Sequence, residues 1–192
     1  MNQLYCDIRN YIKENLSKER RKHSIEVSKL AKLLCNMYDI DSERGLLAGI
    51  AHDIAREFQK DRLEKYAKKD GQPLSPWEKK NPVLLHGRAG AEFIRARWNI
   101  MDSGILDAIR YHTCGRPGMS LLAKILFVAD YLEPGRKFLE EKERQKILKT
   151  GIHRMMLYVF NEKFSYEKKK GRKILIPSLL LYHELMGKTE GK

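Results

Sequence analysis

Cysteine is scarce in this chain. The 192 residues hold three, Cys6, Cys35 and Cys114, an odd number, widely spaced and without a CxxC pair. That argues against a secreted disulfide framework and a thiolate zinc site, and it fits a reducing cytoplasm. Long apolar runs are missing too. The opening MNQLYCDIRNYIKEN is broken by Asp7, Arg9 and Lys13, and no later stretch approaches the roughly 18 uncharged apolar residues of a membrane span. A protein neither exported nor membrane-spanning is expected. Acidic residues are outnumbered, 25 Asp and Glu against 38 Lys and Arg, for a formal charge of +13. Such a balance favours polyanions. Yet the basic runs 18–22 and 168–173 lack interleaved aromatics for base stacking, so a solvated basic face accounts for them and a nucleic-acid partner is not expected.

Strand patterns are nearly absent, limited to Ile174-Leu175-Ile176 before Pro177. What is present instead is apolar periodicity of the helical kind along almost the whole chain, which predicts an all-α fold. Leu4, Ile8, Tyr11, Ile12 and Leu16 outline a first helix, and Val27, Leu30, Ala31 and Leu34 a second. Ser42 reads as the N-cap of a third, running through Leu46, Leu47, Ile50 and Ile54. A shorter helix near Arg62 to Lys69 precedes a loop marked by Gly71, Pro73 and Pro76, and Ser75-Pro76-Trp77-Glu78 has the form of a capping box. Asn81-Pro82 restarts a helix carrying His86 and Phe93, Asp102 caps one from Gly104 to Thr113, and Ser120 opens LLAKILFVADYLE. Lys137 to Lys149 and Ile152 to Phe160 predict two further helices or one bent helix.

Polar residues stand where these stripes should face the core. His23 shares a face with Val27, Leu30 and Leu34, His112 with Ile105 and Ile109, Asp53 with Leu46 and Ile50, and Asp130 with Ala123 and Leu126. A buried carboxylate must find a cation or take up a proton, and a divalent metal satisfies several such groups together. A metal site is therefore expected, in preference to ordinary buried hydrogen-bonding pairs. His153 and His183 fit packing or surface positions and are left outside it.

The motifs carry a resemblance. His23 upstream, His52-Asp53 within LLAGIAHDIARE and Asp130 within VADYLEPGR stand in the order and spacing of the HD-domain metal-dependent phosphohydrolases. LLHGRAGAEFI with His86, and AIRYHTCGRPGMSLLAKILFVADYLEPGR with His112, resemble specifically the symmetrical diadenosine tetraphosphate hydrolases of that family, over residues 16 to 183.

The resemblance implies an HD-domain helical bundle with a dinuclear site in its core. Residues 1–192 would form a single domain, with 137–192 a C-terminal helical extension packed on it. His23, His52, Asp53 and Asp130 would hold one metal, and Asp53 would bridge to a second held by His86 and His112. Asp53, His86 and His112 would be catalytic. The cofactor implied is two divalent or mixed-valence transition-metal ions, iron first, with manganese or other first-row metals as alternatives. A metal-bound hydroxide would attack an inner phosphorus and release two ADP.

Arg20, Arg56, Arg116 and Arg136, with the Thr113 hydroxyl, are the candidates for phosphate contacts. The family more often has Lys at Arg56 and a second Thr at Cys114. The substrate expected is a dinucleoside polyphosphate or another nucleotide, handled by a cytoplasmic monomer or homodimer without a membrane partner. The alternatives are an HD phosphohydrolase for a different nucleotide, and a non-catalytic basic module that binds RNA or the ribosome.

Overall fold

Two glycines one helical turn apart decide how closely the central helices approach. A computed structural model describes residues 3–187; residues 1–2 and 188–192, the ends of the expected single domain, lie outside the described residues. Helix α1 spans Gln3–Asn15, α2 Lys18–Met37 and α3 Ser42–Ala51. A Cβ on Gly49 would stand 2.4 Å from Ser28 Cα, and one on Gly45 2.8 Å from the Ala31 carbonyl oxygen. Only glycine lets the α3 backbone lie this close to α2, and the register so fixed sets the end of α3 beside the middle of α2.

The remaining helices are α4 (Lys60–Ala67), α5 (Pro76–Lys80), α6 (His86–Trp98), α7 (Ser103–Tyr111), α8 (Leu121–Leu132), α9 (Glu141–Leu148), α10 (Ile152–Lys169) and α11 (Ile176–Gly187). No strand occurs among the described residues, as the periodicity predicts. Helices α2, α3, α7 and α8 pack against one another as a kernel, α6 lies on α7, and α10 covers α8. Ile50, Ile109, Leu126 and Leu34 are wholly buried between them, and the Phe127 and Phe160 rings join α8 to α10 at 4.9 Å.

Local chemistry moves several boundaries. Asp41, not Ser42, caps α3, its carboxylate accepting from the Glu43 amide. An aspartate in that place also meets the positive end of the helix dipole. Helix α3 stops at Ala51, so His52 to Glu57 form successive turns instead of a helix continuing through Ile54. The Ser75–Glu78 capping box forms in both directions, but Pro82–Leu85 is a 3-10 turn and α6 starts only at His86. Asp102 caps α7 through Gly104 and Ile105, and the helix ends at Tyr111. The stretch from Lys137 to Phe160 holds two helices, α9 and the start of α10, separated at Gly151. Ile174-Leu175 lies outside regular secondary structure, and Ile176 begins α11.

Arg88 on α6 holds the long connection before it. Its guanidinium donates to both oxygens of Asp70 at 2.8 Å, to Glu78 Oε1 at 2.8 Å and to the Gln72 carbonyl at 2.8 Å. Burial pushes the Asp70 and Glu78 carboxyls up, but Arg88 outweighs it and holds both below their ordinary values.

Gly49→Ala should cost about 2 kcal/mol or more in chemical denaturation, because overpacking at a backbone contact has no flexible side chain to absorb it. Carboxylates with depressed values stabilise the fold fully above their unfolded values, 3.8 for Asp70 and 4.5 for Glu78. The clamp should therefore weaken as pH falls below that range, and hydrogen exchange should show α5 opening before the kernel; equal acid sensitivity in Arg88→Gln would refute the clamp.

Candidate metal centre

Each kernel helix delivers one or two polar groups to a common point. His23 lies in the second turn of α2, His52 and His112 are the residues that terminate α3 and α7, His86 opens α6, and Asp130 lies in the last turn of α8. Asp53 comes next after His52, in the turn. His23, His52, His86 and His112 are 8% exposed or less and Asp53 is 3% exposed.

The imidazoles are fixed from behind. His52 Nδ1 donates to the Gly49 carbonyl (2.8 Å), His86 Nδ1 to Val83 (2.6 Å) and His112 Nδ1 to Ile109 (2.7 Å). Each bond reaches back three residues to a carbonyl near a helix end, which sets the tautomer, since a carbonyl only accepts. The Nε2 atoms consequently turn a lone pair toward the centre. His23 uses a carboxylate instead: its Nδ1 lies 3.1 Å from Glu133 Oε1. Glu133 is in turn held by the Gly135 amide.

Two groups form around the Nε2 atoms. In one, His23 Nε2 lies 3.2 Å from His52 Nε2 and 3.0 Å from Asp130 Oδ1. In the other, His86 and His112 Nε2 lie 3.1 Å apart. Asp53 stands between them with one oxygen for each: Oδ1 is 3.3 Å from His86 and 3.7 Å from His112, while Oδ2 is 3.7 Å from His52 and 3.9 Å from His23. The donor sets His23, His52, Asp130 and His52, Asp53, His112 are each close enough to hold a metal ion, and His86 adjoins the second.

Charge supports the fit. Burial lowers His52 to about 4 and also lowers His86, so both imidazoles are neutral. The Nε2 lone pairs of His86 and His112, 3.1 Å apart and beside the Asp53 carboxylate, repel unless a cation or proton lies between. Thr113 offers only one hydroxyl proton to two nitrogens, at 3.2 Å from His86 and from His112. Burial would raise Asp53 and Asp130, yet both are held far below the usual carboxylate range, Asp130 by its bond to His23. His23 shows the reverse: burial pulls it down, but Asp130 and Glu133 carry it to about 9.

The expected phosphate contacts are distributed unevenly. Arg20 Nη1 donates to Asp53 Oδ2 at 2.7 Å, and Arg136 Nη2 to Asp130 Oδ1 at 3.0 Å. Arg56 Nη1 comes within 3.3 Å of His86 Nδ1. Arg116 instead bonds Asp107 at 3.1 Å and stacks on Tyr111. His153 and His183 sit on α10 and α11, where His153 Nε2 is buried without a hydrogen bond and His183 lies against Tyr182.

Sequence patterns leave two participants unmarked as site residues. Glu133 stands one helical turn after Asp130, a signal contained in VADYLEPGR. Lys163 on α10, which donates to the Thr113 carbonyl at 2.8 Å, sits among similar charged residues and has no such signal.

A family model described as the HD domain matches residues 20–135, which include all six clustered residues. The chain belongs to that family. It is 32% identical over 175 residues to the "Bis(5'-nucleosyl)-tetraphosphatase, symmetrical" of Bacillus subtilis strain 168, covering 91% of this chain and 94% of that one. The identically named protein of Halalkalibacterium halodurans is 33% identical over 180 residues, covering 91% and 93%. In structure, this HD-family member is similar to a predicted HD superfamily hydrolase involved in NAD metabolism from Clostridium acetobutylicum. That likeness has a TM-score of 0.89 and 33% identity, over 96% of this chain and 97% of the other.

Glu133→Gln keeps the shape of its contact but removes the charge behind His23. Metal affinity measured by chelator competition should weaken by roughly 10- to 100-fold, as outer-sphere partners of ligating histidines do, with helicity unchanged. An unchanged affinity would show that His23 is oriented without Glu133.

Proposed function

We propose that this chain hydrolyses diadenosine tetraphosphate symmetrically to two ADP at a two-metal centre. The observation that carries the reading is the division of Asp53, with Oδ1 facing His86 and His112 and Oδ2 facing His23 and His52. The names of the relatives that align over nine-tenths of both chains supply the substrate. His23, His52, Asp53 and Asp130 would hold one ion, and Asp53, His86 and His112 the other. Nitrogen and carboxylate donors without thiolate suit first-row ions, with iron as the first choice. When bound, a pair of such ions supplies an acidified water and positive charge for the phosphate oxygens.

The chain's own side chains do the rest. Asp53, His86 and His112 define the position of the reacting centre, held by backbone carbonyls that fix the rings before substrate arrives. Water adds to an inner phosphorus, the bond to the central bridging oxygen breaks, and ADP leaves on each side. Arg20 and Arg136 lie within hydrogen-bonding distance of the clustered carboxylates, so their guanidinia border the position of the inner phosphates. Arg56 and the Thr113 hydroxyl flank His86. Arg116 bonds Asp107 and stacks on Tyr111.

Metal-loaded protein should convert diadenosine tetraphosphate to ADP as the sole nucleotide product, read by chromatography; ATP plus AMP, or intact substrate, would sink the assignment. Asp53→Ala should lose its metal and more than about 100-fold in turnover, beyond the loss from an outer-sphere partner.

A further inference from the structure

The metal centre and its arginines take their residues from positions 20 to 136, yet one cation reaches them from much later in the chain. Lys163 on α10 crosses to the turn after His112 and donates to the Thr113 carbonyl at 2.8 Å. The Thr113 hydroxyl stands 3.2 Å from the Nε2 atoms of both His86 and His112. The Lys163 ammonium lies 4.6 Å from the centre of the Phe127 ring, and it is half-buried. An ammonium has three N–H donors. A carbonyl and an aromatic face are the partners this one has, and no carboxylate lies within ion-pair distance of it among the described residues. Burial pushes it below the ordinary lysine value, against the charge of Asp130.

We propose that Lys163 is a substrate-binding residue, a cation delivered by α10 to the Thr113 side of the centre that contacts the phosphate chain. A partly desolvated ammonium without a direct counter-ion is costly, and a phosphate oxygen offsets that cost while the unused N–H groups gain an acceptor. The helices after residue 136 then have a second role besides covering α8, because they complete the anion-binding wall. This role rests on the reading of the centre as a nucleotide site, though its test is separate from hydrolysis.

A merely structural lysine would tie α10 to the 112–116 turn through its hydrogen bond, and a neutral donor would serve. Lys163→Gln retains an N–H donor and loses the charge; Lys163→Arg retains the charge. In metal-loaded protein, ADP binding by calorimetry should weaken about tenfold in Lys163→Gln, roughly the effect of a lost charged hydrogen bond. It should stay within about threefold in Lys163→Arg, and KM for diadenosine tetraphosphate should change in parallel while metal content holds.

In the wild-type protein, ADP should protect Lys163 from acylation, read by mass spectrometry, a test independent of whether either variant folds. Equal ADP affinity in wild type and Lys163→Gln, or no protection by ADP, overturns the proposal. Weakened ADP binding in Lys163→Gln by a protein that leaves diadenosine tetraphosphate intact would uphold Lys163 and overturn only the substrate.

Discussion

A carboxylate enclosed by four imidazoles is stable only if positive charge reaches it, and Asp53 is enclosed in that way. The rest of the structure is arranged around that constraint. Four rings are held from behind by carbonyls and by Glu133, so their Nε2 atoms cannot turn away. His23 and the guanidinia of Arg20 and Arg136 carry charge to the two aspartates from the protein itself. A protein that fixed His86 and His112 for packing alone would gain nothing from aiming their lone pairs at each other. Their orientation leaves groups that could hold a metal ion, in a chain that belongs to the HD-domain family.

Rigidity and function share the same contacts here. The Gly49 carbonyl accepts from His52 Nδ1, while the missing side chain of the same residue allows α3 to touch α2. Helix packing and the orientation of the His52 ring are thus set by one residue. The ends of α3 and α7 matter for a related reason: the last carbonyls of a helix lack internal partners, and ring nitrogens placed one turn later use them. The Arg88 clamp does comparable work for the connection that precedes His86.

Much of the site is legible in the sequence. The inward faces of His23 and His112 come from stripes that the folded helices keep, and Asp130 on its stripe is half-buried. Asp53 obeys the same periodicity, though it sits in a turn just past α3, because the chain stays close to helical conformation through His52. Ser42 misleads because two adjacent residues can each cap, and Asp41 is the one whose carboxylate reaches the free amide.

The sequence by itself determined an all-helical chain with histidines and aspartates on buried faces, since helical periodicity is a local property and burial of polar groups is costly enough to demand a partner. Tertiary structure alone decided which atoms meet. Nothing local states that Asp53 divides its oxygens between two imidazole pairs, that Arg116 turns to Asp107, or that Lys163 returns from α10 to Thr113. Those outcomes depend on distances between helices far apart in sequence, and it is packing that sets such distances.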